Sequence, residues 1–314
     1  MDLSALNRAF SSIKEIMPKT LKTCLWLIRI TVSITLAVQL LEYFKILPYI
    51  SDFLGPVFSI IGLPGEASLA FVSGYFVNVY SAIAVIATLN LDVRTITILS
   101  VMILCAHNMI AETAVQKKTG SSAVRMVIVR TLSAFILGFV LNLIMPEATA
   151  AIHIKVEAAY STFGEMMQLW LIKTLKLVLL MSILIFTLSI VQRLLSEFGV
   201  IRWLSKFMRP VLAIFGLPAK TSFLWIVANT LGLAYGAAVM IDETESGKIT
   251  KEDVDLLNHH IGISHSNLED VILLGSVGAL IWWMLAARWI FAFLLVWEFR
   301  LEMAIRKKFF TFAG

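Results

Sequence analysis

Two short runs, HNMIAET at 107–113 and HSNLEDV at 265–271, place histidines and carboxylates inside otherwise apolar stretches of this 314-residue sequence. A histidine titrates near about 6.5, so His107 or His265 beside a carboxylate could relay a proton or hold a cation. Asn108 and Glu112, and likewise His265 and Glu269, are four residues apart and would share a helix face. Arg130 lies about as far beyond the 117–122 turn as Glu112 lies before it, and Arg288 repeats the relation to Asp270. Each arginine and carboxylate should therefore meet across a helical hairpin, where a bidentate pair satisfies both charges away from water. Three uses of these residues stay open: structural ion pairs, proton or cation coupling, and a metal site. No metal-type spacing marks a ligand set, and no metal is assigned.

A second group surrounds two related segments, GLPGEAS at 62–68 and GLPAKTS at 216–222. Glu66 and Lys220 occupy corresponding places just after each Gly-Leu-Pro break and are expected to face one another across a mid-membrane cavity, as gate or as substrate ligands. A helix N-terminus would also stabilise Glu66, though not Lys220. Ser68, Asn78 and Tyr80 in one half, and Ser222, Asn229 and Tyr235 in the other, could hydrogen-bond a polar solute. Helix-to-helix hydrogen bonding in lipid is the alternative use.

The elements that must position these residues are membrane helices. The sequence is 59% hydrophobic and 15% charged, with a mean hydropathy of +0.87, against about 25% charged in soluble domains. Continuous apolar runs at 25–41, 96–111, 124–145 and 169–191 approach or exceed the ~18–20 residues that cross a bilayer. The fold class is all-α: a polytopic membrane protein of two inverted-topology repeats, with about six transmembrane helices and two re-entrant helical hairpins. Lys14, Lys19 and Lys22 place the N-terminus inside, and Lys117 and Lys118 belong inside too. That parity works if residues 49–89 form a hairpin that enters and leaves on the outer side. The second half then runs inverted, with a hairpin over 200–241, and both termini are cytoplasmic in a bacterial inner membrane.

The expected division is an amphipathic surface helix over 1–20, a first repeat over 21–146, a periplasmic connector over 147–168, a second repeat over 169–300 and a basic cytoplasmic tail over 301–314. The acidic segment DETESGKITKEDVD at 242–255 reads as a solvated loop followed by a helix capped by Thr250. His259 and His260 have no second ligand at a known spacing.

The net charge of +5 sits beside apolar segments, as orientation signals do, so nucleic acid is not a partner. Cys24 and Cys105 lie in apolar segments and read as buried small hydrophobes. No HExxH metal motif or GxSxG nucleophile elbow is present, and Ser264 and His265, being adjacent, would point to different helix faces. The expectation is a non-enzyme without cofactors. Its partners are membrane lipids, a small-molecule or amphiphilic substrate, and a coupling proton or cation; a homodimer or a membrane-protein partner stays open.

With these residues in view, the chain resembles the nucleoside recognition, or Gate, domain family, which includes spore maturation proteins A and B and the membrane part of ferrous iron transporter B. The resemblance covers nearly the whole chain, through GLPGE at 62–66, the HNxxxET pattern at 107–113, GLP at 216–218 and the HxxxED pattern at 265–270. The resemblance brings no substrate with it; with the repeat layout, the expectation is a transporter-like protein that moves a small polar or amphiphilic solute, nucleosides among the candidates, by alternating access. Two alternatives are a non-transporting membrane partner in envelope processes and a translocase of lipid or a lipid-linked precursor. The chain departs from the iron-transporter members in lacking a GTP-binding domain, a phosphate loop and a matching cysteine pair in the two gates.

Overall fold

A computed structural model describes residues 3–147 and 162–312. All regular structure among the described residues is helical. The first half contains α1 (Leu3–Tyr43), α2 (Leu47–Ile60), α3 (Ala67–Phe76), α4 (Val79–Ile86), α5 (Val93–Ala106), α6 (Met109–Lys118) and α7 (Ala123–Ile144). The second contains α8 (Phe163–Glu197), α9 (Val200–Ile214), α10 (Ser222–Leu231), α11 (Leu233–Glu245), α12 (Lys251–Ser264), α13 (Asp270–Ser276) and α14 (Ile281–Phe312), with a 3-10 turn at Ala219–Thr221 before α10.

The burial pattern of α1 is that of a helix in lipid. Its face toward α8 carries Ser12, Thr20, Cys24, Thr31, Thr35 and Gln39, all buried, while Phe10, Leu25 and Trp26 point outward at 70%, 50% and 52% exposure. Thr35 Oγ1 meets Thr174 Oγ1 at 3.3 Å, Trp170 Nε1 donates to Thr35 Oγ1 at 3.2 Å, and Cys24 Sγ donates to Ser182 Oγ at 3.3 Å. Apolar side chains gain nothing by leaving hydrocarbon for a helix interface, so small polar residues hold the pair instead.

Among the described residues, five helical stretches are long and apolar enough to cross a membrane: Asn7–Tyr43, Val93–Lys118, Ala123–Ile144, Phe163–Glu197 and Ile281–Arg306. A sixth was expected from α12 and α13. That stretch opens with Lys251, Glu252, Asp253 and Asp255, and its helix α12 ends at Ser264 after 14 residues, too short to cross a bilayer by itself. The segment expected as a separate surface helix over 1–20 is continuous with the first long helix, since Pro18 is accommodated inside α1. Of the connector at 147–168, residues 148–161 lie outside the described residues; α8 already begins at Phe163, where Thr162 and Glu165 form a capping box. The basic tail continues α14 as far as Phe312.

Helices and breaks fall in the same order in both halves. Gly62 and Gly216, which follow α2 and α9, both take φ +75°. This left-handed backbone suits glycine, because a Cβ there would crowd the following carbonyl. Asn108 and Ser266, which follow α5 and α12, are left-handed without being glycine, at φ +47° and +54°. Each turns its backbone N–H onto an earlier broken element: Asn108 onto the Gly74 carbonyl at 2.9 Å and Ser266 onto the Ala228 carbonyl at 3.3 Å.

Packing interlocks the halves. Within them α5 lies on α7 and α12 on α14; between them α6 packs on α11, α4 on α13, and α5 on α12 and α14. One apolar core runs through the first half and takes in Ile263, Val271 and Met284 of the second, while the other is built around α9, α10, α12 and α14.

Candidate functional site

The breaks after α5 and α12 bring the ionisable residues together. Helix α5 ends at His107, whose extended backbone (ψ 159°) hands over to left-handed Asn108; α12 ends the same way at His265 (ψ 174°). The rings of His107 and His265 come to lie 5.0 Å apart, tilted by 37°. Glu112, in the first turn of α6 where the helix dipole favours an anion, reaches both. Its Oε1 is 3.1 Å from His107 Nε2 and 3.2 Å from His265 Nε2. Its Oε2 accepts from Arg130 at 2.6 Å.

The two fully buried arginines brace these breaks. Arg130 donates to the carbonyls of Cys105 at 3.0 Å and His107 at 2.8 Å. Arg288 donates to the carbonyls of Ile263 at 3.2 Å and His265 at 3.0 Å. The carbonyls freed where each helix stops thus receive charged donors, the satisfaction that irregular backbone at membrane depth needs.

The expected pairing of Glu112 with Arg130 is present, but Asp270 does not pair with Arg288. Arg288 Nη2 binds Asn267 Oδ1 at 2.6 Å instead, and Asp270 Oδ2 lies 3.5 Å from His107 Nε2. Asn267 passes the contact on, donating to Asn229 Oδ1 at 2.6 Å. His265 and Glu269 do not share a helix face, because the chain leaves the helix at His265 and α13 starts only at Asp270. Glu269 accepts from the phenol of Tyr80 in the first half and from Gln192 Nε2 at 3.3 Å.

A cavity of about 330 Å³ lies over this centre. Asn78, Tyr80, His107 and Glu112 of the first half and Ser266, Glu269 and Asp270 of the second line it. A second cavity, about 480 Å³, opens between α1 and α8 beside Glu15, Lys19 and Arg193, and it shares Leu231 and Glu269 with the first. Leu231 also borders a third, of about 330 Å³.

The Gly-Leu-Pro tips do not converge on this centre, and Glu66 does not face Lys220. Leu63 packs into the first core and Leu217 into the second. Half-buried Glu66 feels the charge of Glu42, at the end of α1. Lys220 is half exposed and pairs with Asp253 at the start of α12. Helix α12 begins with the expected Thr250 cap, as a reciprocal box with Asp253. Burial of Asp253 works to raise its pKa, but the hydrogen bonds from Lys220 and Thr250 and the Lys220 charge together hold it below the usual aspartate range.

Of the small polar candidates, Asn78 caps α4, accepting from Ser81 N at 2.8 Å, and borders the central cavity. Asn229 is buried and held by Asn267. Ser68 and Ser222 are buried near the tips, and the Ser68 hydroxyl has no partner among the described residues. The Tyr235 side chain lies outside the described residues. His260 is buried, its Nδ1 accepting from Trp225 Nε1 at 3.1 Å and meeting Ser264 Oγ at 2.7 Å; His259 stacks on Phe299. The contact of both histidines with one glutamate, and the roles of Gln192 and Asn267, were not legible in the sequence. They depend on how the two halves dock, and no spacing within either half encodes that.

Residues 24–148 match the family described as nucleoside recognition, Gate. An uncharacterized membrane protein of Bacillus subtilis (strain 168), YvoD, is 30% identical over 264 residues, which cover 83% of this chain and 85% of that protein. No solved structure matches the chain. The chain, with its helical membrane architecture and its two broken histidine segments, belongs to the nucleoside recognition (Gate) family of membrane proteins.

Proposed function

We propose that the protein is a membrane transporter that moves a small polar or amphiphilic solute by alternating access, with the solute held in the cavity at the paired breaks. The observation that carries this reading is the position of that cavity. Broken, hydrogen-bonding segments of both halves line it, and Leu231 and Glu269 divide it from the space between α1 and α8. Discontinuous helices meeting at a repeat interface are the usual substrate site of secondary transporters. The halves act as inverted-topology repeats in a bacterial inner membrane, 49–89 and 200–241 act as re-entrant hairpins, and both termini are cytoplasmic.

The test is a thermal-stability screen of the purified chain in detergent against nucleosides, nucleobases and phospholipid or isoprenoid phosphates, since a native-state ligand raises stability by mass action. The reading expects a saturable rise with one class, lost in Glu269→Gln and retained in Glu66→Ala and Lys220→Ala, whose side chains lie away from the cavity. A flat screen, or a shift that Glu269→Gln leaves intact, contradicts it.

A further inference from the structure

The two central histidines are oriented for a cation. His107 Nδ1 lies 3.1 Å from the Ile103 carbonyl and His265 Nδ1 lies 2.7 Å from the Ile261 carbonyl. A carbonyl only accepts, so each Nδ1 carries the ring hydrogen, and each neutral ring presents a bare lone pair at Nε2. Both lone pairs are aimed at the same carboxylate oxygen, Glu112 Oε1, at 3.1 and 3.2 Å. With both rings neutral, three acceptors converge in a buried place and repel one another unless a proton or a metal ion lies between them.

We infer that His107, His265 and Glu112 form a binding site for a divalent transition-metal ion of the zinc class. All three donor atoms lie within 4.8 Å of one another. Ligands at about 2.0–2.2 Å from a tetrahedral metal are separated by about 3.3–3.5 Å, close to the two imidazole–carboxylate separations. Two imidazoles and one carboxylate suit zinc, iron, cobalt, nickel or copper; magnesium and calcium prefer all-oxygen sites. The outer shell is also in place: backbone carbonyls fix both ring orientations, and Arg130 holds the far oxygen of Glu112 at 2.6 Å. His107 and Glu112 border the central cavity, as does Asp270, whose Oδ2 is 3.5 Å from His107 Nε2, so a fourth ligand could reach the ion from that side. Three protein ligands with one open position is the arrangement of a site that exchanges its metal or binds a second ligand through it. The inference concerns binding alone and stands whether or not the transport reading does.

The test uses the full chain, purified in detergent and stripped with chelator. Titration with Co²⁺ should bring up the intense visible absorption of four-coordinate cobalt at one equivalent, and Zn²⁺ should abolish it while excess Mg²⁺ leaves it unchanged. His107→Gln and His265→Gln should each weaken binding by more than the ~10–100-fold that loss of an outer-shell partner brings. X-ray absorption of the Zn²⁺-loaded wild type, which needs no variant to fold, should show two imidazole nitrogens and oxygen in the first shell. No cobalt band in the wild type, an all-oxygen first shell, or binding unchanged in folded His107→Gln and His265→Gln would each overturn the proposal.

Discussion

Tyr80, at the start of α4, donates its phenol hydrogen to Glu269, just before α13, and so ties the first half to the second where Glu269 borders both the central cavity and the one between α1 and α8. Gln192 of α8 holds the other oxygen of the same carboxylate. Leu231 and Glu269 are the residues common to both cavities, so under the proposed transport reading the Tyr80–Glu269 contact is the candidate latch between them.

Removing the phenol tests that latch. Hydrogen bonds to charged groups contribute about 1.5–3 kcal/mol, so Tyr80→Phe should lower the apparent melting temperature and speed thiol labelling at the cavity boundary. A cycle with Gln192→Leu should show coupling between the two side chains, because both bind one carboxylate. Additive effects would mean that Glu269 is held elsewhere.

Arg130 and Glu112 should not tolerate a charge swap. A simple ion pair would survive reversal, but Arg130 also donates to the Cys105 and His107 carbonyls, and a glutamate at 130 has no hydrogen to give them. Stranding such a buried charge network costs about 3–5 kcal/mol. The swapped protein should fail to purify as a folded species, and Arg130→Lys, lacking the planar fork, should melt well below the wild type.

The two tip glycines should differ in their response to alanine. Both need a left-handed backbone, worth about 1–2 kcal/mol against a residue with a Cβ. At Gly62 that Cβ would fall 2.2 Å from Asn142 Oδ1, whereas at Gly216 the nearest atom is Arg300 Cδ at 3.2 Å, on a flexible side chain. Thermal unfolding should therefore place Gly62→Ala below Gly216→Ala, and both below wild type.

The Lys220–Asp253 contact at the start of α12 predicts a dependence on pH. The folded protein holds Asp253 below the usual aspartate range, so its contribution to stability is full above that range and fades as pH falls through the lowered folded value. The stability gap between wild type and Asp253→Asn should be present at neutral pH and close in acid. A gap that widens in acid would contradict the pairing.

Much of this architecture is written in the sequence because lipid imposes strong local rules. Apolar runs mark α1, α7, α8 and α14, and Gly62 and Gly216 mark breaks made with the same left-handed backbone. The pairing of Glu112 with Arg130 also follows from spacing, since both lie on one helical hairpin. The site as a whole does not. Spacing put Asp270 on Arg288, but Asn267, on the irregular segment between α12 and α13, reaches the guanidinium first. The opposed charges of Glu66 and Lys220 invited a pairing across the tips, yet each tip packs into a different core. The histidine pair arises only when two distant helix ends dock, which periodicity within either half does not record.

The proposed alternating access requires Leu231 and Glu269, which border both cavities, to separate spaces reached from opposite sides of the membrane in turn. The most direct measurement places one cysteine at Leu231, in a background of Cys24→Ser and Cys105→Ala, and labels it with a membrane-impermeant maleimide in sealed vesicles of each orientation. The account predicts modification from both sides. Labelling confined to one side in every condition, ligand present or absent, would contradict alternating access.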